Sequence, residues 1–155
     1  MTDQTSRDRN PRGARAKAGA ATPTAADYRA LAGFRHALRK FLAFSEEAAR
    51  EVGLTPQQHQ ALLAIIGSPE PDAVTVGGLA ERLLLKHHSA VELVDRLVEL
   101  DLLKRSKDPA DRRRVILKLT GKARGLLVSL SATHLQELRR IRPVLATLLD
   151  RLDEG

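Results

Sequence analysis

Asp108-Pro109-Ala110-Asp111-Arg112-Arg113-Arg114 places three consecutive guanidinium groups just behind a turn-forming Asp-Pro pair. A guanidinium is a planar, permanently charged fork of donors, suited to phosphate oxygens and to acceptors on base edges. Asp111 stands two residues before Arg113, and across a tight tip it is expected to orient and partly neutralise that side chain. Arg113 is therefore the candidate for a narrow minor groove of duplex DNA, and Arg112, Arg114, Lys107 and Lys118 are candidates for phosphate contacts. The alternative is a solvated run of charge on a hairpin.

A second polar group, Lys86-His87-His88-Ser89, leads into an apolar periodic stretch. At the start of a helix in a major groove, an imidazole donates to guanine N7 or O6 or to a phosphate, and Ser89 can contact either. Val91, Glu92 and Arg96 continue the candidate surface. Glu92 can accept from cytosine N4, or it can pair with Arg96 one turn along, which is worth about 0.2–0.5 kcal/mol. Adjacent histidines on a helix point about 100° apart, cysteine is absent and no third ligand is evident. Neither a metal nor a cofactor is expected. His36, His59 and His134 are single histidines on helices with apolar stripes and read as packed or surface residues. With no phosphate-binding glycine loop and no nucleophile beside a base at recognisable spacing, the chain is not expected to be an enzyme.

Composition points to the same partner. The 155 residues carry a formal charge of +7, so a polyanion is the natural complement. Aromatics make up only 3%, too few for a single-strand binder built on stacking platforms. The absence of cysteine excludes disulfides, thiolate zinc sites and thiol redox sensing. No apolar run approaches the roughly 20 residues of a membrane span, and the N-terminus lacks the apolar core of a signal peptide, so a cytoplasmic location is expected. Residues 1–23 lack large apolar side chains and are expected to form a disordered basic tail. Arg7, Arg9, Arg12, Arg15 and Lys17 would there either solubilise the chain or add phosphate contacts.

The elements that must position these groups follow from caps and periodicity. Thr24 with Asp27 in the first turn starts a helix running to about Val52, striped by Tyr28, Leu31, Phe34, Leu38, Phe41 and Ala48. At that length a single chain leaves much of the stripe uncovered, so a partner helix is implied. Gly53 stops the helix, and Thr55-Pro56-Gln57-Gln58 launches a buried helix through Leu62, Leu63, Ile65 and Ile66. Residues 67–73 form a loop, and Thr75 caps a helix carrying Leu79, Ala80, Leu83 and Leu84. A helix from about His87 to Leu100 buries Ala90, Val94, Leu97 and Val98. A hairpin follows, its second strand presenting Val115, Leu117 and Leu119 on one face. The last helix starts near Thr120 and runs to about Arg142, where Pro143 is expected to break or kink it before a shorter helix through Leu145, Leu148 and Leu149. Two short helices followed by an arginine-tipped hairpin make a winged helix-turn-helix pattern.

From residue 54 onward the chain resembles the MarR family of bacterial transcriptional regulators. The resemblance rests on Leu54-Thr55, Thr75-Val76-Gly77-Gly78-Leu79-Ala80-Glu81-Arg82-Leu83, Val94-Asp95-Arg96-Leu97-Val98, Asp101-Leu102-Leu103-Lys104-Arg105 and Asp108 through Arg114 to Leu119-Thr120. Asp101 stands at the helix–strand corner where the family usually has glycine, and it is one of the few other types that tolerate a left-handed backbone. The expected fold class is mainly α with a small β-wing. Residues 24–155 would form one domain, a winged helix lobe over 54–120 between dimerisation helices over 24–53 and 121–155. The resemblance implies a homodimer with interlocked terminal helices, and Leu31, Phe34, Leu38, Leu138, Ile141, Leu145 and Leu148 are the candidate interface. It also implies a pseudo-palindromic double-stranded DNA operator and a repressor relieved by a small-molecule effector. The alternatives are a winged-helix protein–protein adaptor, favoured by Glu92 and the acidity of residues 92–101, and a non-specific architectural DNA binder.

Overall fold

The computed structural model describes residues 22–153, so the expectation for the basic tail, with Arg7, Arg9, Arg12, Arg15 and Lys17, lies outside the described residues. Helix α1 spans Ala25–Glu51. Its start is a reciprocal cap: the Thr24 amide donates to the Asp27 carboxylate at 2.6 Å, and the Asp27 amide donates to the Thr24 hydroxyl at 3.3 Å. The backbone and hydroxyl donors of Thr24 hold the Asp27 carboxyl below its ordinary range. Beyond the last turn Gly53 takes φ +80°, the left-handed conformation that glycine adopts without steric cost.

Helix α5, Gly121–Asp153, runs antiparallel to α1. The Leu148 side chain reaches Gly33 near one end, and His134 reaches Ser45 near the other. Small residues make the approach possible: Ala30 and Ala37 are buried, and a Cβ on Gly33 would lie 3.0 Å from Leu148 Cδ2. The larger stripe of Tyr28, Leu31, Phe34 and Leu38 lies on another face and stays exposed, as the expected shortage of cover required. Of the break or kink expected at Pro143, the break does not occur, and α5 continues through it. Its ring removes one hydrogen bond, to the Arg139 carbonyl, where Arg139, Arg140 and Arg142 are exposed and water can take the acceptor.

Between these arms lies the lobe. Helix α2 is Pro56–Ile66, α3 is Val76–Leu83 and α4 is His87–Glu99, with a single 3₁₀ turn at Pro71–Ala73. Thr55 and Gln58 cap α2 reciprocally, and the Thr75 hydroxyl accepts from the Gly78 amide at 3.1 Å. Leu62, Ile65, Leu79, Val94, Leu97 and Leu117 are at most 1% exposed and join the three helices to the hairpin. Each such side chain contributes about 1.5–3 kcal/mol by leaving water. Leu63, expected inside, is exposed.

Strands β1 (Leu103–Lys107) and β2 (Val115–Leu119) pair antiparallel, Leu103 opposite Leu119 and Lys107 opposite Val115. The expected alternation fails at Val115, which is exposed, and at Ile116, which is buried. Val115 lies at the outer end of the ladder. Farther in, the Leu117 amide donates to the Val74 carbonyl at 2.8 Å, and α2, α3 and α5 all pack on β2, so both of its faces are covered there. At the inner end of the hairpin, the Thr120 hydroxyl donates to the Asp101 carbonyl at 2.8 Å and accepts from the Ala123 amide at 3.1 Å. The Lys122 ammonium donates to the Leu100 carbonyl at 2.8 Å. The end of α4 and the start of α5 are thereby fastened together, and Asp101 turns the corner at φ +55°, as its residue type foretold.

Leu84 was expected to extend the apolar stripe of α3. It instead leaves the helix at φ +54° and is 93% exposed, with its successor's amide bonded back to the Ala80 carbonyl at 2.9 Å. That hydrogen-bond pattern normally carries glycine. A left-handed leucine costs roughly 1–2 kcal/mol, part of which glycine returns through a more mobile unfolded chain. Leu84→Gly is therefore expected to raise stability by about 0.5 kcal/mol, read as a higher denaturant midpoint with an unchanged slope. A lower midpoint would show that the leucine makes a stabilising contact.

Candidate nucleic-acid interface

The turn at 84–86 delivers α4 with its first turn free. Lys86 occupies the N-cap position without a side-chain bond to the helix, and no acidic residue lies in the first turn. The leading amides and the helix dipole therefore favour an anion. Ala90, Leu93, Val94 and Leu97 anchor one face in the core. That leaves Lys86, His87, His88, Glu92 and Arg96 exposed, with Ser89 and Val91 half-buried at the edge of the outer face. All seven sequence candidates thus fall on or beside one surface. Glu92 and Arg96 do not form the expected pair; no hydrogen bond or ion pair joins them within the described residues. The acid beside them, Asp95, binds Arg105 of β1 at 2.5 Å and ties α4 to the hairpin. Sequence reasoning had given Arg105 no role, because the partners are ten positions apart on different elements.

The wing tip is shaped by two aspartates acting on backbone. The Asp108 carboxylate is mostly buried; it accepts from the Ala110 amide at 2.9 Å and pairs with Arg114 at 3.3 Å. The Asp108 amide donates to the Arg114 carbonyl at 3.0 Å, closing the loop. Asp111 was expected to steer the Arg113 guanidinium. Its carboxylate instead accepts from the Arg113 main-chain amide at 3.0 Å, and its carbonyl accepts from the Arg114 amide at 2.9 Å. An aspartate two residues ahead of an amide commonly fixes a turn in this way, so local backbone geometry wins over a long, flexible side chain. Arg112 and Arg113 are exposed, with no side-chain partner among the described residues, as are Lys107 and Lys118 along the strands. Arg114, expected beside them on phosphates, is held at the wing base by Asp108.

Arg114 also borders a cleft of about 320 Å³ with Ser68, Thr75 and Arg82. The Arg82 guanidinium donates to the Ser68 hydroxyl at 3.0 Å across it. Sequence reasoning gave Arg82 no role. It lies inside a motif read for its leucines, and only the fold brings it beside the wing.

On the long helices Leu31, Phe34 and Leu38 of α1 and Leu138 of α5 are exposed. Leu138 and Leu145 line an apolar groove of about 420 Å³ together with Leu135 and Leu149. Ile141 and Leu148 are half-buried, and Leu148 is turned toward Gly33 of its own chain. The outward face of α5 thus keeps Leu138 and Leu145 of the four candidates on that helix and extends toward Leu135 and Leu149 rather than Ile141 and Leu148.

Two curated relatives match the chain. The uncharacterized HTH-type transcriptional regulator YcgE of Bacillus subtilis (strain 168) is 30% identical over 117 residues, 76% of this chain and 68% of that protein. The uncharacterized HTH-type transcriptional regulator YsmB of the same organism is 31% identical over 93 residues, and the match spans 57% of this chain and 62% of the relative's length. Among solved structures, a variant of S. aureus MepR bound to an oligodeoxyribonucleotide superposes with a TM-score of 0.61 at 19% identity, covering 81% of this chain and 97% of that one. CouR from Rhodococcus jostii RHA1, bound to p-coumaroyl-CoA, gives 0.63 at 23% identity, with 77% and 83% covered. At these identities the structures establish a shared fold. Residues 52–114, from the end of α1 through the wing tip, match the profile of the MarR family, and with the agreement in sequence to YcgE it follows that the chain belongs to the MarR family of HTH-type transcriptional regulators.

Proposed function

We propose that the chain is a dimeric, sequence-specific double-stranded DNA-binding transcriptional regulator, a cytoplasmic repressor released by a small-molecule effector. The observation that carries this reading is the juxtaposition of α4, with its uncapped and exposed first turn, and a wing whose Arg112 and Arg113 are unpaired within the described residues. His87, His88 and Ser89 read base edges or phosphates, Arg113 enters the minor groove, and Arg112, Lys107 and Lys118 hold the backbone. Two subunits meet through the exposed stripe of α1 and the outward groove of α5, which sets their recognition helices about one helical turn (roughly 34 Å) apart. The MepR variant solved with an oligodeoxyribonucleotide supports the DNA partner, and CouR solved with p-coumaroyl-CoA supports an effector.

One observation favours a second reading. Glu92 presents a carboxylate unpaired among the described residues in the middle of the exposed α4 face, which repels phosphate unless it accepts from a cytosine. A protein–protein adaptor on the same fold would have no such conflict. Selection of bound duplexes from a randomised pool at near-physiological salt separates the two. The proposed function predicts enrichment of an inverted repeat with half-site centres about 10 bp apart. Uniform binding that disappears with added salt would reduce the arginines to phosphate contacts and make the protein an architectural binder. No binding to any duplex would favour the adaptor.

A further inference from the structure

We propose that His59, packed against His134, forms a proton-sensitive joint, which seats the DNA-binding lobe on the long helices while the His59 ring is uncharged. His59, on α2, is 3% exposed, and His134, on α5, is 9% exposed. Their ring centroids lie 4.9 Å apart with the planes inclined by 38°. Phe41 and Phe44 of α1 stand edge-on to His134 at 6.1 and 5.8 Å. Three helices therefore meet at one imidazole pair. One of them, α2, belongs to the lobe and packs on α3, α4 and β2; the other two are the arms.

The hydrogen bonds define the resting state. His134 Nδ1 lies 2.5 Å from the Leu130 carbonyl and Nε2 lies 2.6 Å from the Ser45 hydroxyl. A carbonyl only accepts, so Nδ1 carries the hydrogen, and in the neutral ring Nε2 accepts from Ser45. Both His134 nitrogens are thereby occupied within the arms. A proton added to His59 places a cation in a nearly closed site against a second ring.

The surrounding charges offer that cation no relief. His59 is the only titratable residue among residues 56–66 of α2. From α1, Glu46 and Glu47 beyond Ser45 are both engaged by Arg50 at 3.3 Å, and Lys40 adds a positive charge. From α5, Glu137 lies one turn past His134, but its carboxylate is bound by Arg140 at 2.6 and 2.7 Å and lies in the field of Lys40; Arg139 is a further cation. Burial first, and then the neighbouring His134, hold the His59 imidazole below its ordinary range. The folded chain thus accepts this proton less readily than the unfolded one. The stability linked to His59 is complete above the ordinary imidazole value of about 6.5 and is lost as pH falls below it.

Three measurements on the full chain test the joint, using wild type, His59→Phe and His59→Gln, so that a misfolded variant leaves the other available. On acidification from pH 7.5 to 5.5, the wild-type Tm is expected to fall by about 3 °C more than that of either variant. The His59 ring, followed by NMR, is expected to titrate below the ordinary imidazole value. An equal Tm loss in all three proteins, or a His59 ring that titrates at or above that value, would overturn the proposal. The link to DNA rests on the function proposed above. Over the same pH change, wild-type affinity for a selected duplex is expected to fall about fivefold relative to the variants, close to 1 kcal/mol; His87 and His88 are present in all three and cancel. Equal ratios would overturn the coupling to the lobe. Absence of any duplex binding at pH 7.5 would overturn the proposed function, and the joint would then be decided by the thermal and NMR results.

Discussion

Replacing Arg113 with alanine is expected to lower affinity for the selected duplex by about 1–3 kcal/mol, roughly 5- to 150-fold, and to relax preference at the base pairs beneath the wing. The size of the effect follows from the tip's construction. Asp111 fixes the main chain on either side of Arg113, so the side chain projects from a rigid turn and loses little freedom on entering a groove. Neighbouring arginines give the contrast. Arg112→Ala should weaken all sequences about equally and lower the dependence on salt, as loss of a phosphate contact does. Asp111→Ala should cost less than Arg113→Ala, because it loosens the turn and leaves the guanidinium in place. Titrations of the selected duplex and of a scrambled duplex at two salt concentrations distinguish these outcomes. If Arg113→Ala binds both duplexes like wild type, the wing does not read the groove.

The other large effect is expected from Leu138→Lys, which should convert the proposed dimer to a folded monomer. Leu138 lies in the outward groove of α5, among Leu135, Leu145 and Leu149 and beside Arg139 and Arg142. An acidic replacement would find those arginines, whereas lysine meets only like charge. Because a two-fold interface repeats every substitution, two unpaired ammonium groups would have to leave water, at a cost of several kcal/mol. The residue is 39% exposed in the single chain, so the protomer's own core should survive. Sedimentation at micromolar concentration should show the 17.0 kDa chain alone. Duplex affinity should fall further than for Arg113→Ala, since one half-site then acts without the other. An unchanged dimer mass would move the interface off this groove.

Much of this arrangement was legible in the residues because it is local. Caps at Thr24, Thr55 and Thr75 are written within four positions, and so are the stop at Gly53 and the left-handed corner at Asp101. The exposure of Arg113 and His88 was equally readable, since the Asp-Pro turn puts the arginines at a hairpin tip and helical spacing turns His88 away from Ala90, Val94 and Leu97. Features that depend on distant partners were not. Ala30, Gly33 and Ala37 carry little hydrophobic signal, yet they decide which side of α1 receives α5. Pro143 reads as a break or a kink, and α5 passes it because Leu148 packs on Gly33 beyond it and water can take the freed acceptor. Ile116 could not be assigned to the inside, because its burial depends on what covers the second face of β2. His59 and His134 are 75 positions apart and appeared unrelated. Leu84 gave no warning at all, because leucine is a helix former and its left-handed backbone is imposed by the turn between two helices.

The fastening at Thr120 and Lys122 makes the reading helix and the arm mechanically continuous. A helix of 33 residues is about 50 Å long, so a tilt of 2° about its far end carries its near end through roughly 1.7 Å. In a two-fold pair the two near ends move oppositely, and the span between reading heads changes by about 3.4 Å, one base-pair step of the duplex. In the dimer proposed above, α5 then works as a lever whose long arm lies among the subunit contacts and whose working end is fastened to α4. For the proposed regulator, an event that shifts those contacts by a small angle takes both heads out of register with a fixed operator, without unfolding a single turn.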